Sequence, residues 1–537
     1  MDIVFNNCLI PDFFEMKWRK VSVGIENGVI SRISDKPLNG KIVINAREKF
    51  LTPGLIDCHC HIESSYLVPA NFSKVVASFG TLHVVADPHE ISNVRGKEGF
   101  LFFVENAKHG VANIKFAVSS CVPATEFNTS GGRLGKEEIF ELLELQEVVA
   151  LGELMNVPGV VQGLSFYPDI IKRAKELGKR VNGHAPHLDD EILKRYVAAG
   201  AEDDHESYSY EELKKKIELG MKVFIREGSP EKTRPDAYRI LREYPDDVMF
   251  CTDDKTIEDI LKKGHINYNV KKAIRNGIPE ILAVKAATYN GLKYYGLEEY
   301  AEIKVGNKAW VVLFDEDFDP VEVVVDGKFM RQMSVGFDIP AEFLNTFNLP
   351  EQKDVPTPDL RDVAMVASDG TLITHKLDLG ESMKEDYDLE NDILKIVVYE
   401  RYGHGRKAAS FIKGFGLKRG AIATSLSHDC HNILAVGTSD EAILKVINAV
   451  IDMQGGQALF DGEKIYELPL RVGGVVSEKE PVIVASEVRN LKDHARLLGS
   501  SLTDPFSTLT FMALEVIPHL KLTDRGLFDV DKFEYLK

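Results

Sequence analysis

Two histidines separated by a single residue end an apolar run in Asp57-Cys58-His59-Cys60-His61. Successive side chains of a strand alternate between faces, so His59 and His61 are expected to share one face and to be able to bind one metal ion together. The same alternation sends Cys58 and Cys60 to the opposite face, under surrounding helices, which favours packing over a structural Cys-His-Cys-His zinc cluster. A lone His-x-His is a weak signal, and later segments strengthen it. Glu153 ends VVALGEL, His184 follows RVNG, His205 ends AEDDHE, and Asp253 and Asp254 end VMFCTDD. Each alone reads better as a hydrogen-bonded core residue. Jointly, His59, His61, Glu153, His184, His205 and Asp253 supply nitrogen and oxygen ligands for two divalent ions, with a carboxylate available to bridge them.

The chemistry such a set supports is hydrolytic. Two ions sharing one water lower its pKa and generate hydroxide, while a nearby carboxylate takes a proton and returns it to a departing amine. Asp253 is assigned that shuttle, with Glu153 and His205 as the other candidate catalytic residues. Asp254 has two readings, a hydrogen bond to a ring nitrogen of a substrate or the cap of the following helix. Asp87-Pro88-His89-Glu90 offers Asp87, His89 and Glu90 as ligands of an additional metal, or else a helix-entry turn in which Asp87 or Glu90 satisfies backbone N–H groups. Arg226 and Glu227, in IREGS, are either a salt bridge on the rim or substrate-reading groups. His428 and His431, in SHDCHN, either close over the site as substrate contacts or fold back on their own domain.

Side chains so far apart in sequence need a frame that gathers strand ends. Between Phe50 and about Tyr300, strand-length apolar runs alternate with helical stretches such as KEEIFELLELQ and EELKKKIELG, a βαβ pattern. Eight candidate strands follow in order: LTPGLIDCHCHI, TLHVVAD, IKFAVSSCV, VVALGEL, RVNGHA, AEDDHE, MKVFIRE and VMFCTDD. Eight is the number of a TIM-like (β/α)8 barrel, whose active sites lie at the C-terminal strand ends. Short alternating segments before and after it read as hairpins. The expected organisation is a small β-sandwich from residues 1–49 and 302–347, an α/β hydrolase barrel inserted over 50–301, and a C-terminal α/β domain over 356–537. Asn348 to Asp359, rich in proline and charge, reads as the linker.

Composition narrows the partners. The 537 residues, 44% of them hydrophobic, suffice for two or three domains, and a net charge of -18 argues against nucleic acid and anionic membrane surfaces. Six cysteines form no secreted-type framework, the start of the chain lacks a signal-peptide pattern, and no apolar stretch approaches the roughly 20 residues of a membrane span. A soluble cytoplasmic enzyme acting on a small molecule is expected.

PGLIDCHCHIESS, VVADPHEISNV, GELMNVPGV, NGHAP, DHES, IREGS and CTDD with GHINY, in this order, together resemble the bacterial and archaeal adenine deaminases of the amidohydrolase superfamily. ATSLSHDCHNILAVG, LPLRVGGVVS and DPFSTLTFMALEVIPHLKLTDRGLFDV resemble that family's C-terminal domain, so the likeness spans nearly the whole chain. It implies conversion of adenine to hypoxanthine and ammonia in purine salvage, in a homo-oligomer, most simply a dimer. It also implies a binuclear site on the same six ligands, with manganese preferred and iron or zinc possible. Glu153 stands where many relatives in the superfamily carry a carboxylated lysine. Cys58, Cys60 and His187 depart from the family pattern. His61-Ile62-Glu63 lacks the later Pro-Cys-x-x-Cys of the zinc nucleobase deaminases, which excludes that class. Two alternatives stand beside this reading: another amidohydrolase acting on a cyclic amide or amidine, and a scaffold that has lost its metals, which retention of all six ligands disfavours.

Overall fold

Asn27-Gly28 and Asp326-Gly327 both place two successive residues at positive φ, the geometry of tight two-residue hairpins. In the computed structural model, which describes residues 1–536, these hairpins belong to a single eight-stranded sheet assembled from both flanks of the barrel. Strand Phe50–Pro53 joins the flanks, pairing antiparallel with Val311–Phe314 and parallel with Ile3–Asp12. Phe5, Val23, Leu51, Val311 and Val324 form the core of this sheet.

The barrel strands are Leu55–Cys60, Thr81–Ala86, Asn113–Val118, Val148–Leu151, Arg180–Val181, Asp203–Asp204, Lys222–Arg226 and Val248–Cys251. They form parallel ladders of five and three strands. The ring closes where Asp253 N–H donates to His59 C=O at 3.0 Å and His61 N–H to Asp253 C=O at 3.2 Å. Glu202 N–H, donating to Val181 C=O at 2.9 Å, joins the fifth strand to the sixth. Inward residues Val85, Ala117, Ala150, Phe224 and Met249 fill the interior with Leu292 and Tyr295. The helices read from sequence form at Lys136–Leu143 and Tyr210–Glu218, the latter started by a Ser209–Glu212 capping box.

Two details of the first strand differ from the expectation. LTPGLIDCHCHI divides at Gly54, where a Cβ would stand 2.5 Å from that of Leu82, so Phe50–Pro53 belongs to the flanking sheet and only Leu55–Cys60 to the barrel. The pairing register also slips: Asp57 faces Val84 while Cys60 faces Ala86. This bulge breaks the alternation. Cys58 therefore packs inside the barrel beside Ile56, Met249 and Cys251, and only Cys60 joins the outer core.

The C-terminal sheet also has eight strands. Within strand Ile393–Tyr399, Val397 and Tyr399 pack beneath helix Asp440–Asp452. Ile396 and Val398, on the other face, enter a core continuous with barrel residues such as Ile91 and Phe103. The period of two thus seats this domain on the barrel. The expected linker lies along the C-terminal domain, with Gln352 N–H donating to Asn448 Oδ1 at 2.8 Å and Tyr399 O–H to Asp354 C=O at 2.7 Å. Among the described residues no helix is long and apolar enough to cross a membrane.

Glu515 lies on the seam between the two, accepting from Thr125 Oγ at 2.5 Å while its second oxygen has no partner. Burial pushes this carboxyl from 4.5 up to about 7. The folded chain therefore holds more protons than the unfolded chain between those values, and stability falls as pH rises through that window, by up to about 3 kcal/mol. Glu515→Gln is expected to melt at a higher temperature than the parent at pH 8, with the difference shrinking towards pH 5. Parallel melting curves that ignore pH would remove this account.

Candidate metal centre and substrate pocket

All six expected donors converge at the C-terminal ends of the barrel strands. His59 Nε2 and His61 Nε2 lie 3.5 and 3.2 Å from Asp253 Oδ1. Glu153 divides its oxygens: Oε1 is 3.6 Å from His61 Nε2, and Oε2 is 2.7 Å from His184 Nδ1 and 3.5 Å from His205 Nε2. The rings of His59 and His205 stack with centroids 4.0 Å apart. His184 is half-buried and the other five are buried.

The side chains beneath this cluster set its geometry. Asp253 holds a left-handed φ of 56°, a conformation rare outside glycine. Asp57 fixes the preceding residue by accepting from Thr252 N–H at 3.0 Å and Thr252 O–H at 2.5 Å. The Asp87 carbonyl lies 2.9 Å from His61 Nδ1, which leaves Nε2 facing the carboxylates. The Asp87 carboxylate accepts from Ser119 O–H and, at 3.1 Å, from Glu153 N–H, an approach open only because Gly152 has no Cβ. Asp87 thus takes the backbone-satisfying role, and the structure removes it from the additional-metal set.

Burial, then the charge of His205, pushes His59 down to about 4, which keeps its imidazole neutral. Burial alone would raise Asp253, but the Arg226 guanidinium with His59 and His61 holds it well below the usual carboxylate range. Glu153 is likewise held low against burial by His184 and His205. His59 Nε2 has no hydrogen-bond partner although it is buried and faces carboxylates. Buried polar atoms are rarely left so, and a compact set of imidazoles and ionised carboxylates is chemically suited to divalent cations. His59, His61 and Asp253 form one tight donor group, and His59, Glu153 and His205 another.

The remaining expected residues separate. Arg226 Nη1 donates to Asp253 Oδ2 at 2.7 Å and to Glu206 Oε1 at 2.5 Å, while Nη2 reaches Glu231 at 2.5 Å. It clamps the acid rather than facing open space. Glu227 turns the other way and accepts from Tyr238 O–H at 2.7 Å and from Lys272. Strand alternation places it outside, so its substrate reading is corrected. Asp254 is not the helix cap; Thr256 caps Ile257–Lys263, and Asp254 accepts from Ser64. Asp254 instead lines a pocket with His428, Phe511, Leu426 and Tyr66, in which the rings of His428 and Phe511 stack 4.4 Å apart. His431 is not part of that lining and abuts Glu90.

Sequence reading passed over Glu206, whose Oε1 lies 3.3 Å from His205 Nε2 and 3.8 Å from His184 Nδ1. Strict alternation would turn it away, but its strand ends at Asp204 and the chain curls back. Its adjacency to His205 was the available signal.

Residues 50–330 match the amidohydrolase family, and residues 371–534 match the adenine deaminase C-terminal domain. A Methanosarcina acetivorans protein named adenine deaminase is 38% identical over 558 aligned residues, covering 98% of both chains. One of the same name from Archaeoglobus fulgidus is 38% identical over 541, covering 99% of this chain and 94% of its own. Among solved structures, a beta-aspartyl dipeptidase from Fervidobacterium islandicum AW-1 aligns with a TM-score of 0.47 at 17% identity, over 62% of this chain and 96% of its own. An N-acetyl-D-glucosamine-6-phosphate deacetylase from Mycobacterium smegmatis aligns with a TM-score of 0.46 at 14% identity, over 61% of this chain and 99% of its own.

Proposed function

The chain belongs to the adenine deaminase family of the amidohydrolase superfamily and is a hydrolase, and from that premise we propose that it hydrolyses adenine to hypoxanthine and ammonia, serving purine salvage. We assign two divalent ions, manganese before iron or zinc, to His59, His61, Glu153, His184, His205 and Asp253. The observation that carries this assignment is the divided carboxylate of Glu153, one oxygen beside His61 and the other beside His184 and His205. A permanent carboxylate there bridges two donor groups without a modified side chain. Bound ions supply Lewis acidity and bring the pKa of water towards neutrality.

The chain's own groups do the rest. Asp253 Oδ1 takes a proton from the attacking water and returns it to the departing amino nitrogen, while Arg226 fixes Oδ2 so that one oxygen stays aimed at the reaction. Glu206 shares that guanidinium and limits its movement. The His428–Phe511 pair offers a flat wall to a planar purine, and Asp254 in the same pocket offers an acceptor to a ring N–H. Thr510 C=O accepts from His428 N–H at 2.9 Å, which holds that wall in place.

The test is a comparison of substrates. Purified protein is incubated with adenine, guanine, dihydroorotate and hydantoin, before and after manganese loading, with ammonia and ultraviolet change followed beside metal content. Ammonia from adenine alone, increased by manganese, is the expected result. Turnover of another ring with none of adenine would transfer the site to a different amidohydrolase reaction. A metal-free protein that manganese fails to activate would make it a scaffold.

A further inference from the structure

We propose that His89, Glu90 and Asp429 hold a third divalent cation at the seam between the barrel and the C-terminal domain. His89 Nε2 lies 3.3 Å from Glu90 Oε1 and 3.9 Å from Asp429 Oδ1. One donor atom from each of the three residues falls within 4.8 Å of the others. The three side chains are only 4%, 1% and 2% exposed. This is a different donor set from that of the proposed pair and shares no residue with it.

Charge and unmet hydrogen bonding point to a cation. Among the described residues, every group that pairs with Glu90 or Asp429 is a histidine, with no lysine or arginine. Two buried carboxylates thus have no permanently charged partner, and a buried acid is costly without one. Asp429 Oδ2 is buried with no hydrogen-bond partner. The fully buried His431 sets Nε2 against Glu90 Oε2, and its Nδ1 is unpartnered. A divalent ion would neutralise both acids, and one nitrogen with two oxygens suits manganese, iron or zinc.

The position gives the ion a role. Asp429 comes from the SHDCHN turn of the C-terminal domain and His89 from the barrel, so a shared ion ties one to the other. Glu90 Oε1 also lies 2.5 Å from His428 Nδ1, and His428 forms a wall of the substrate pocket. The other nitrogen of His89 faces the bridging carboxylate, with Nδ1 3.6 Å from Glu153 Oε1. The cation would therefore hold the domain closed and align the pocket wall with the catalytic acid.

Equilibrium dialysis of chelator-stripped full-length protein against manganese chloride alone, followed by elemental analysis, tests the proposal. The parent chain is expected to saturate at close to three ions, and Asp429→Ala and Glu90→Ala at close to two. Saturation of the parent at two ions would overturn the third site and leave the catalytic pair standing, whereas no bound metal would overturn both. Three ions retained in either folded variant would also overturn it. The count on the parent decides the question even if the variants fail to fold.

Discussion

His59→Ala and His61→Ala should each lower turnover of adenine by more than about 10³-fold and reduce bound metal while leaving the fold in place. Both imidazoles face Asp253 Oδ1 and are buried with it, so either substitution strips a nitrogen donor from that group. The loss should exceed the roughly 10–100-fold typical of removing a residue that only orients a ligand. Unfolding is not expected, because the barrel is held by its interior apolar layer and by the backbone ladder, in which His59 takes part through its carbonyl. Elemental analysis, circular dichroism and a deamination assay on the same preparations check the three parts. Unchanged metal stoichiometry in both variants would sink the assignment.

Asp253→Asn separates holding metal from moving a proton. The amide keeps an oxygen where Oδ1 stands and occupies the same volume, so much of the metal should remain, but it cannot accept and return a proton at neutral pH. A fall in kcat of about 10²–10⁴-fold is expected, the range for loss of a general acid–base group. Arg226 sharpens the result, because its hydrogen bond to Oδ2 loses a charged partner and the side chain gains freedom. A near-normal rate with metal retained would move the proton transfer to another carboxylate, such as Glu206, which shares Arg226 with Asp253.

The legibility of this site in the sequence follows local geometry. Histidines and acids at the ends of apolar runs were readable because a parallel strand delivers its last residues to the barrel mouth, whatever lies between strands. The face of Cys58 was not, because the extra residue between Asp57 and Cys60 resets the alternation and nothing in the letters DCHC marks a bulge. Glu206 escaped for a related reason, its strand being too short for the period to continue. Arg226 pairs not with Glu227 but with Asp253, Glu206 and Glu231, which come from three different segments and so leave no local signal. The pocket was the least legible part. Its stacked wall joins His428 to Phe511 and its acceptor is Asp254 of the barrel, a combination set by how two domains meet.

The flanking sheet places a constraint on how the chain is made. Phe50–Pro53 lies between Ile3–Asp12 and Val311–Phe314, so one edge of this early strand stays bare until the ribosome has delivered residues more than 250 positions downstream. Nascent chains must therefore guard that open hydrogen-bonding edge throughout barrel synthesis. A message truncated before Val311 would release a protein whose first strands seek their missing neighbour in other molecules.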